Sequence, residues 1–144
     1  MRKGLGVVVC LWGLWAQPPG AYQRVRSLQI AYLAEAMQLL PEEAQAFWPV
    51  YNAREAALQK QRQAIRERFR SLREKRGSLS AQAFADSVSA LYLTLWEKEA
   101  QIRREYDSQF RKVLPPEKLA RFYLAEVRLL RRALGEDRDG LGRE

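Results

Sequence analysis

Histidine is absent from this chain of 144 residues and cysteine occurs once, so the commonest acid–base catalysts and soft metal ligands are lacking. Glycine is also scarce, and the sequence contains no glycine-rich phosphate-binding loop. Two pairs of glutamates, Glu42 with Glu43 and Glu97 with Glu99, fall among charges that are typical of a helix surface. The sequence therefore predicts a protein that is not an enzyme and has no metal site and no cofactor.

The composition is that of one small folded domain. Hydrophobic residues make up 47% of the chain and charged residues 29%, which is too apolar for a disordered segment. The net charge of +8 indicates an acidic partner, such as lipid headgroups, anionic unfolded chains or nucleic acid.

Residues 1–21 have the pattern of a secretory signal peptide. Arg2 and Lys3 precede an apolar run from Leu5 to Trp15, which is too short to span a bilayer. We expect Pro18, Pro19 and Gly20 to break any helix at the processing region. Cleavage is expected after Ala16 or Ala21, and an uncleaved anchor is the alternative interpretation.

Removal of this segment has consequences for the mature protein. A lipid anchor at Cys10 is disfavoured, because Val9 stands where a lipoprotein signal has a small residue. Without Cys10 the exported chain has no disulfide, so helix packing alone must hold it together. The net charge then falls to +6, and we expect a periplasmic location.

Apolar residues recur with the helical period and predict four helices. These run from about Arg24 to Met37, from Pro41 to the turn at residues 74–78, from the N-cap Ser80 to Val113, and from Pro116 to Leu134. The first three stripes are Val25, Leu28, Ile30, Leu33 and Met37; then Phe47, Tyr51, Leu58, Ile65, Phe69 and Leu72; then Phe84, Val88, Leu91, Leu95, Ile102, Tyr106, Phe110 and Val113. Arg54 and Gln61 interrupt the second stripe, and Pro49 is expected to kink that helix without ending it.

The predicted fold is all-α. The second and third helices each have a length of about 50 Å at about 1.5 Å per residue, and a short turn around Gly77 makes them antiparallel neighbours. We expect an elongated helical hairpin over residues 22–135, with shorter flanking helices and a flexible polar tail at 136–144. A hairpin this long does not bury both stripes by itself, which favours coiled-coil-like association into a homodimer.

The segment from Lys60 to Arg76 carries eight cationic residues and two acidic ones. It is interpreted either as a solvated helix face or as a surface for an acidic partner. The export signal argues against nucleic acid, so an acidic client protein or an anionic membrane surface fits better. The candidate binding residues are Arg62, Arg66, Arg70 and Arg73, with Trp48 and Trp96, which stand one position off their stripes and of which one is expected to be exposed.

Two blocks of the sequence resemble a known family. The first contains Leu39, Pro41, Glu42, Gln45, Phe47, Trp48, Pro49 and Tyr51, and the second contains Leu114, Pro115 and Pro116. In their order and spacing they resemble the LTxxQ superfamily of periplasmic proteins, whose familiar members are Spy and CpxP. The branch described as "sensor of ECF-type sigma factor" or "periplasmic heavy metal sensor" is closer still. Leu40 replaces the motif threonine and Leu119 a motif glutamine, so the cap is lost and the second copy is degenerate.

The resemblance implies an all-α, commonly dimeric cradle that acts in envelope stress responses. Spy-like members bind partly folded clients on a basic, amphipathic face without ATP. The alternative is a regulatory module of an ECF sigma factor pathway, with one specific membrane signalling partner. Metal sensing fits less well, because the related sensors use histidine and sulfur ligands, and the mature chain has only the sulfur of Met37.

Overall fold

The computed structural model describes residues 19–133 and confirms the predicted all-α class. The helices are α1 (Pro19–Met37), α2 (Pro41–Glu74), α3 (Ala81–Val113) and α4 (Pro116–Ala133), and a 3-10 turn (Arg76–Ser78) joins α2 to α3. No strand occurs within this range. Most of the predicted signal segment, including Cys10, lies outside the described residues, as do Leu134, Gly135 and the predicted tail.

The predicted helix starts at Pro41, Ser80 and Pro116 are confirmed. The Ser80 side-chain oxygen accepts a hydrogen bond from the Ala83 N–H at 3.1 Å and caps α3. The predicted start of the first helix near Arg24 is wrong, because α1 begins at Pro19 and includes Gly20, and Pro18 lies outside the described residues. Proline is compatible with the first helical position, where its missing N–H would have no intrahelical partner.

The end of α1 is tied to the start of α4. Gln38 follows α1 with a φ of 49°, a left-handed conformation that usually ends a helix at glycine. The Lys118 ammonium donates hydrogen bonds to the carbonyls of Met37, at 3.1 Å, and of Gln38. Arg121 donates to the side-chain oxygen of Gln38 at 2.8 Å. The two Lys118 bonds satisfy backbone carbonyls that the end of a helix leaves without partners.

The helices pack in two main pairs, α2 with α3 and α1 with α4. Residues that come later in α2 contact residues that come earlier in α3. The rings of Phe47 and Phe110 have their centroids 5.5 Å apart, and further along α2 the Arg62 guanidinium bonds Glu99 at 2.7 Å. α2 continues through Pro49, as predicted, and Pro49 itself is exposed.

All four helices and the α3–α4 junction contribute to the main core. Its buried residues are Leu33, Met37, Phe47, Tyr51, Phe110, Leu114, Leu119, Phe122 and Ala125. The ring of Phe47 lies against those of Phe110 and Phe122, with centroids 5.5 and 5.1 Å away, so aromatic contacts join α2, α3 and α4. The first predicted stripe is wrong in part, because Val25 and Leu28 are exposed.

The end of the α2–α3 pair that lies next to the connecting turn has few buried residues. We define the distal segment as residues 61–74 of α2 and 81–98 of α3. Within this fully described segment, Ile65 is the single buried residue. The rest of the predicted stripe there is half-buried: Phe69, Leu72, Phe84, Val88, Leu91 and Leu95. The apolar faces of the distal segment are therefore incompletely covered.

Across residues 19–133, no helix combines the length and the apolar character that a bilayer span needs.

Candidate binding surface

The four arginines predicted to bind a partner lie along one face of α2. Arg62, Arg66, Arg70 and Arg73 are spaced by four, four and three residues, and all are exposed. Within the described residues, Arg66, Arg70 and Arg73 form no salt bridge. The structure thus places the predicted cations in one exposed row, which we call the arginine row.

Arg62 differs from the rest of the row because Glu99 of α3 holds its guanidinium. Its Nε and Nη2 donate to the two carboxylate oxygens at 2.7 and 3.1 Å. Arg103 donates to the same carboxylate at 2.8 Å. Glu99 is 6% exposed, so its interpretation as an ordinary surface charge is wrong. Glu99 lies between Leu95 and Ile102 at helical spacing, and that position on the apolar stripe is the signal that sequence reasoning missed.

The environment of Glu99 favours its charged form. Hydrogen bonding from Arg62 lowers the pKa of the carboxyl group below its ordinary 4.5. Burial opposes this effect, and the bond from Arg103 adds to the lowering. Glu99 is therefore a carboxylate at neutral pH, and it fixes the position of Arg62 at the base of the arginine row.

A second buried ion pair was also missed. Arg54 is 3% exposed and donates to Glu126 of α4 and to Glu55. Its guanidinium carbon lies 5.3 Å from the ring centroid of Phe110 and 5.1 Å from that of Phe122. Arg54 interrupts the apolar stripe between Tyr51 and Leu58 because it fills a core position as a paired cation. This pair joins α2 to α4 beside the main core, and Arg54 lies eight residues before Arg62, the first member of the arginine row.

The two candidate tryptophans have different environments. Trp48 is half-buried, and its ring packs edge-on against Phe47 at 4.8 Å and Tyr51 at 5.5 Å. Trp96 is 55% exposed. The prediction that one of the two is exposed is confirmed for Trp96, whereas Trp48 belongs to the packing around the main core.

Trp96 belongs to an exposed apolar group on α3. Tyr92, Leu93 and Trp96 are each more than half exposed, and the rings of Tyr92 and Trp96 contact edge to face at 6.1 Å. Arg62 of α2 and Glu99 of α3 lie at the same level, because they bond each other. Trp96 lies one helical turn from Glu99 on α3, and Arg66 lies one helical turn from Arg62 on α2. Both turns lead toward the α2–α3 connection. The apolar group and the arginine row therefore lie at the same level of the helix pair.

The two motif blocks meet in the main core. Phe47, Tyr51 and Leu114 are buried in it, and Leu39 and Trp48 pack against it. Pro41, Glu42, Gln45, Pro49, Pro115 and Pro116 are exposed. The blocks thus contribute helix starts and packing, and the exposed cations lie between them in the chain.

In the described part of the chain, no group of three histidine, cysteine or acidic residues is arranged to hold a metal ion. The sulfur-bearing side chain of Met37 is fully buried in the main core.

No protein-family model matches this chain, and no curated protein and no solved structure matches it. The resemblance to the LTxxQ superfamily therefore stays a prediction from two short blocks of sequence. The evidence about function lies in the arrangement of charge and apolar surface on α2 and α3.

Proposed function

We propose that this chain is an exported, non-enzymatic helical protein of the envelope stress response that binds partly folded client proteins. The binding surface consists of the arginine row on α2 and the exposed apolar group Tyr92, Leu93 and Trp96 on α3. The observation that carries the proposal is the placement of both groups at one level of the distal segment.

The chemistry of this surface suits unfolded chains that carry negative charge. Partly folded proteins expose apolar side chains, which aromatic residues contact over a large area at a small cost in conformational entropy. Exposed arginines attract acidic clients over a distance that depends on salt. A surface that combines both accepts many sequences at modest affinity.

We further propose that α2 and α3 act as an extended antiparallel hairpin and that two copies associate through it. The half-buried stripe of the distal segment supports this, because Ile65 is the single buried residue over its described length. Leucine and phenylalanine faces left partly exposed over several turns favour association with a second apolar surface. Sedimentation at equilibrium tests this proposal, and a monomer at all concentrations up to about 100 μM contradicts it.

The client-binding proposal is tested by suppression of aggregation. The purified protein is mixed at low salt with an acidic protein unfolded by reduction, and light scattering is followed. We expect suppression that weakens as salt rises, and that is reduced in Trp96→Ala and in the double variant Arg70→Gln, Arg73→Gln. The double variant Arg24→Gln, Arg128→Gln removes the same charge from exposed positions of α1 and α4, and it should act like the wild type.

A wild-type protein that fails to suppress aggregation at low salt contradicts the client-binding role. Equal loss in both double variants means that net charge alone is responsible, and this also contradicts the surface assigned here. Affinity capture from an envelope extract separates the alternatives. A mixture of unfolded proteins supports client binding, whereas one inner-membrane protein recovered alone favours the regulatory module of an ECF sigma factor pathway.

A further inference from the structure

A cleft of about 420 Å³ lies between α1 and α2, and two members of the arginine row line it. Its lining combines cationic, amide and apolar side chains: Val25, Arg26, Gln29, Tyr51, Glu55, Gln59, Arg62 and Arg66. Three arginines from two helices and one glutamate therefore line one cleft. Its size is within the range of small-molecule sites, which are about 300–1,000 Å³.

Two of the three guanidinium groups are held by bonds to neighbouring side chains. Arg26 of α1 donates to the side-chain oxygen of Asn52 at 3.1 Å, which links α1 to α2 at the cleft. Glu99 fixes Arg62 from the α3 side, at 2.7 and 3.1 Å. Cations positioned in advance lose less conformational entropy when an anion binds, which raises affinity.

The one carboxylate of the lining does not cancel this charge. Glu55 accepts two hydrogen bonds from the buried Arg54, at 3.2 and 3.0 Å. Arg54, which also pairs with Glu126, therefore offsets part of the negative charge of Glu55 from the core side. Glu99 offsets part of the charge of Arg62, so the excess positive charge of the cleft comes mainly from Arg26 and Arg66.

We propose that this cleft binds a phosphate-type oxyanion of charge −2 or more, with the remainder of the ligand against Val25 and Tyr51. A single carboxylate presents two oxygens and matches one guanidinium fork, whereas a phosphate group presents three or four oxygens and a higher charge. Three arginines that line one cleft, of which Arg26 and Arg66 form no salt bridge within the described residues, fit the second class. Arg62 and Arg66 belong to both this site and the arginine row, whereas Arg26 of α1 belongs to the cleft alone and distinguishes the two sites.

Calorimetric titration of the purified protein with inorganic pyrophosphate tests the proposal. We expect saturable binding of about one equivalent per chain, weakened about tenfold by Arg26→Gln and by Arg66→Gln. Arg70→Gln is the matched control, since Arg70 lies one turn beyond Arg66 on α2 and does not line the cleft. It should change the affinity by less than about twofold, and circular dichroism should show equal helicity in all variants.

Absence of saturable binding, or equal weakening by all three substitutions, overturns the proposal, because the anion then responds only to net charge. Vesicles of phosphatidic acid identify the source of the phosphate group. Vesicle binding that is reduced by Arg26→Gln supports a lipid headgroup in the cleft. Pyrophosphate binding without Arg26-dependent vesicle binding supports a soluble phosphate compound. Retained client binding in Arg26→Gln separates this site from the proposed function.

Discussion

Arg54 of α2 donates two hydrogen bonds to the carboxylate of Glu126 on α4, one of them at 3.0 Å, across 72 positions of the chain. The guanidinium is nearly inaccessible to water, whereas the Glu126 side chain keeps 30% of its surface exposed. Burial is the largest single effect and lowers the pKa of the Arg54 guanidinium, but the hydrogen bonds and charges of Glu126 and Glu55 together outweigh it and raise that pKa. The pair therefore fixes α4 against α2 and leaves the buried cation satisfied.

Glu126→Gln should lower the free energy of unfolding by about 2–3 kcal/mol. The substitution leaves the buried guanidinium with a neutral partner on α4 and with Glu55 as its one remaining carboxylate, and a buried charge that loses an anionic partner is costly. The measurement is urea denaturation followed by circular dichroism. Glu117→Gln is the matched control, because Glu117 pairs with Arg121 at the surface of the same helix with 72% of its side chain exposed. That control should lose less than about 1 kcal/mol, and an equal loss in both would contradict a structural role for the buried pair.

The positions of Arg54 and Glu99 explain what the sequence predicted and what it did not. The helix starts at Pro41, Ser80 and Pro116 were predicted correctly, because proline and serine act on backbone groups within a few residues. Arg54 and Glu99 lie on apolar stripes, and their burial depends on partners on other helices, Glu126 and Arg62. Sequence periodicity does not contain those pairings, so it predicts Glu99 as a surface charge and Arg54 only as an interruption of the apolar stripe.

The same limit applies to α1 and to the candidate site. Val25 and Leu28 continue the helical period of Leu33 and Met37, yet they are exposed because the main core ends at Leu33. For the arginine row, the spacing of four, four and three residues was enough to predict that the four side chains share one face of α2. The cleft beside it was not predicted, because it requires the packing of Arg26 against α2.

Glu99→Gln should make the free energy of unfolding less dependent on pH in the acidic range. The pKa of Glu99 is lower in the folded protein than its ordinary 4.5. Its ion pairs therefore contribute fully at pH values above 4.5, and that contribution is lost as the pH falls through the lowered pKa. The wild type should exceed Glu99→Gln in free energy of unfolding by about 2 kcal/mol at about pH 7, and by much less at about pH 3. A difference that stays constant with pH would contradict the assignment.

Leu40→Thr should stabilise the protein. Leu40 occupies the N-cap position of α2 with extended backbone angles, and its side chain has no hydrogen-bond acceptor. Its N–H already donates to the Glu43 carboxylate at 2.9 Å, so half of a capping box is present. A threonine oxygen would complete it, with an expected gain of about 0.5–1 kcal/mol. Leu40 is 53% exposed, which limits the loss of apolar burial. Thermal denaturation measures the gain, and Ser80→Ala at the α3 cap should give a loss of about 1 kcal/mol.

Trp48→Ala and Trp96→Ala should separate stability from binding. Trp48 packs edge-on against two aromatic rings beside the main core, so its truncation should cost about 2–4 kcal/mol in denaturant unfolding. Trp96 is 55% exposed and contacts Tyr92 alone among the aromatic rings described, so its truncation should cost less than about 1 kcal/mol. The aggregation assay is run at a temperature where both variants are folded. There the larger loss should belong to Trp96→Ala, which should suppress aggregation less than Trp48→Ala does. If Trp48→Ala loses suppression while folded and Trp96→Ala does not, the contact surface lies at the main core and the distal segment has no role in client binding.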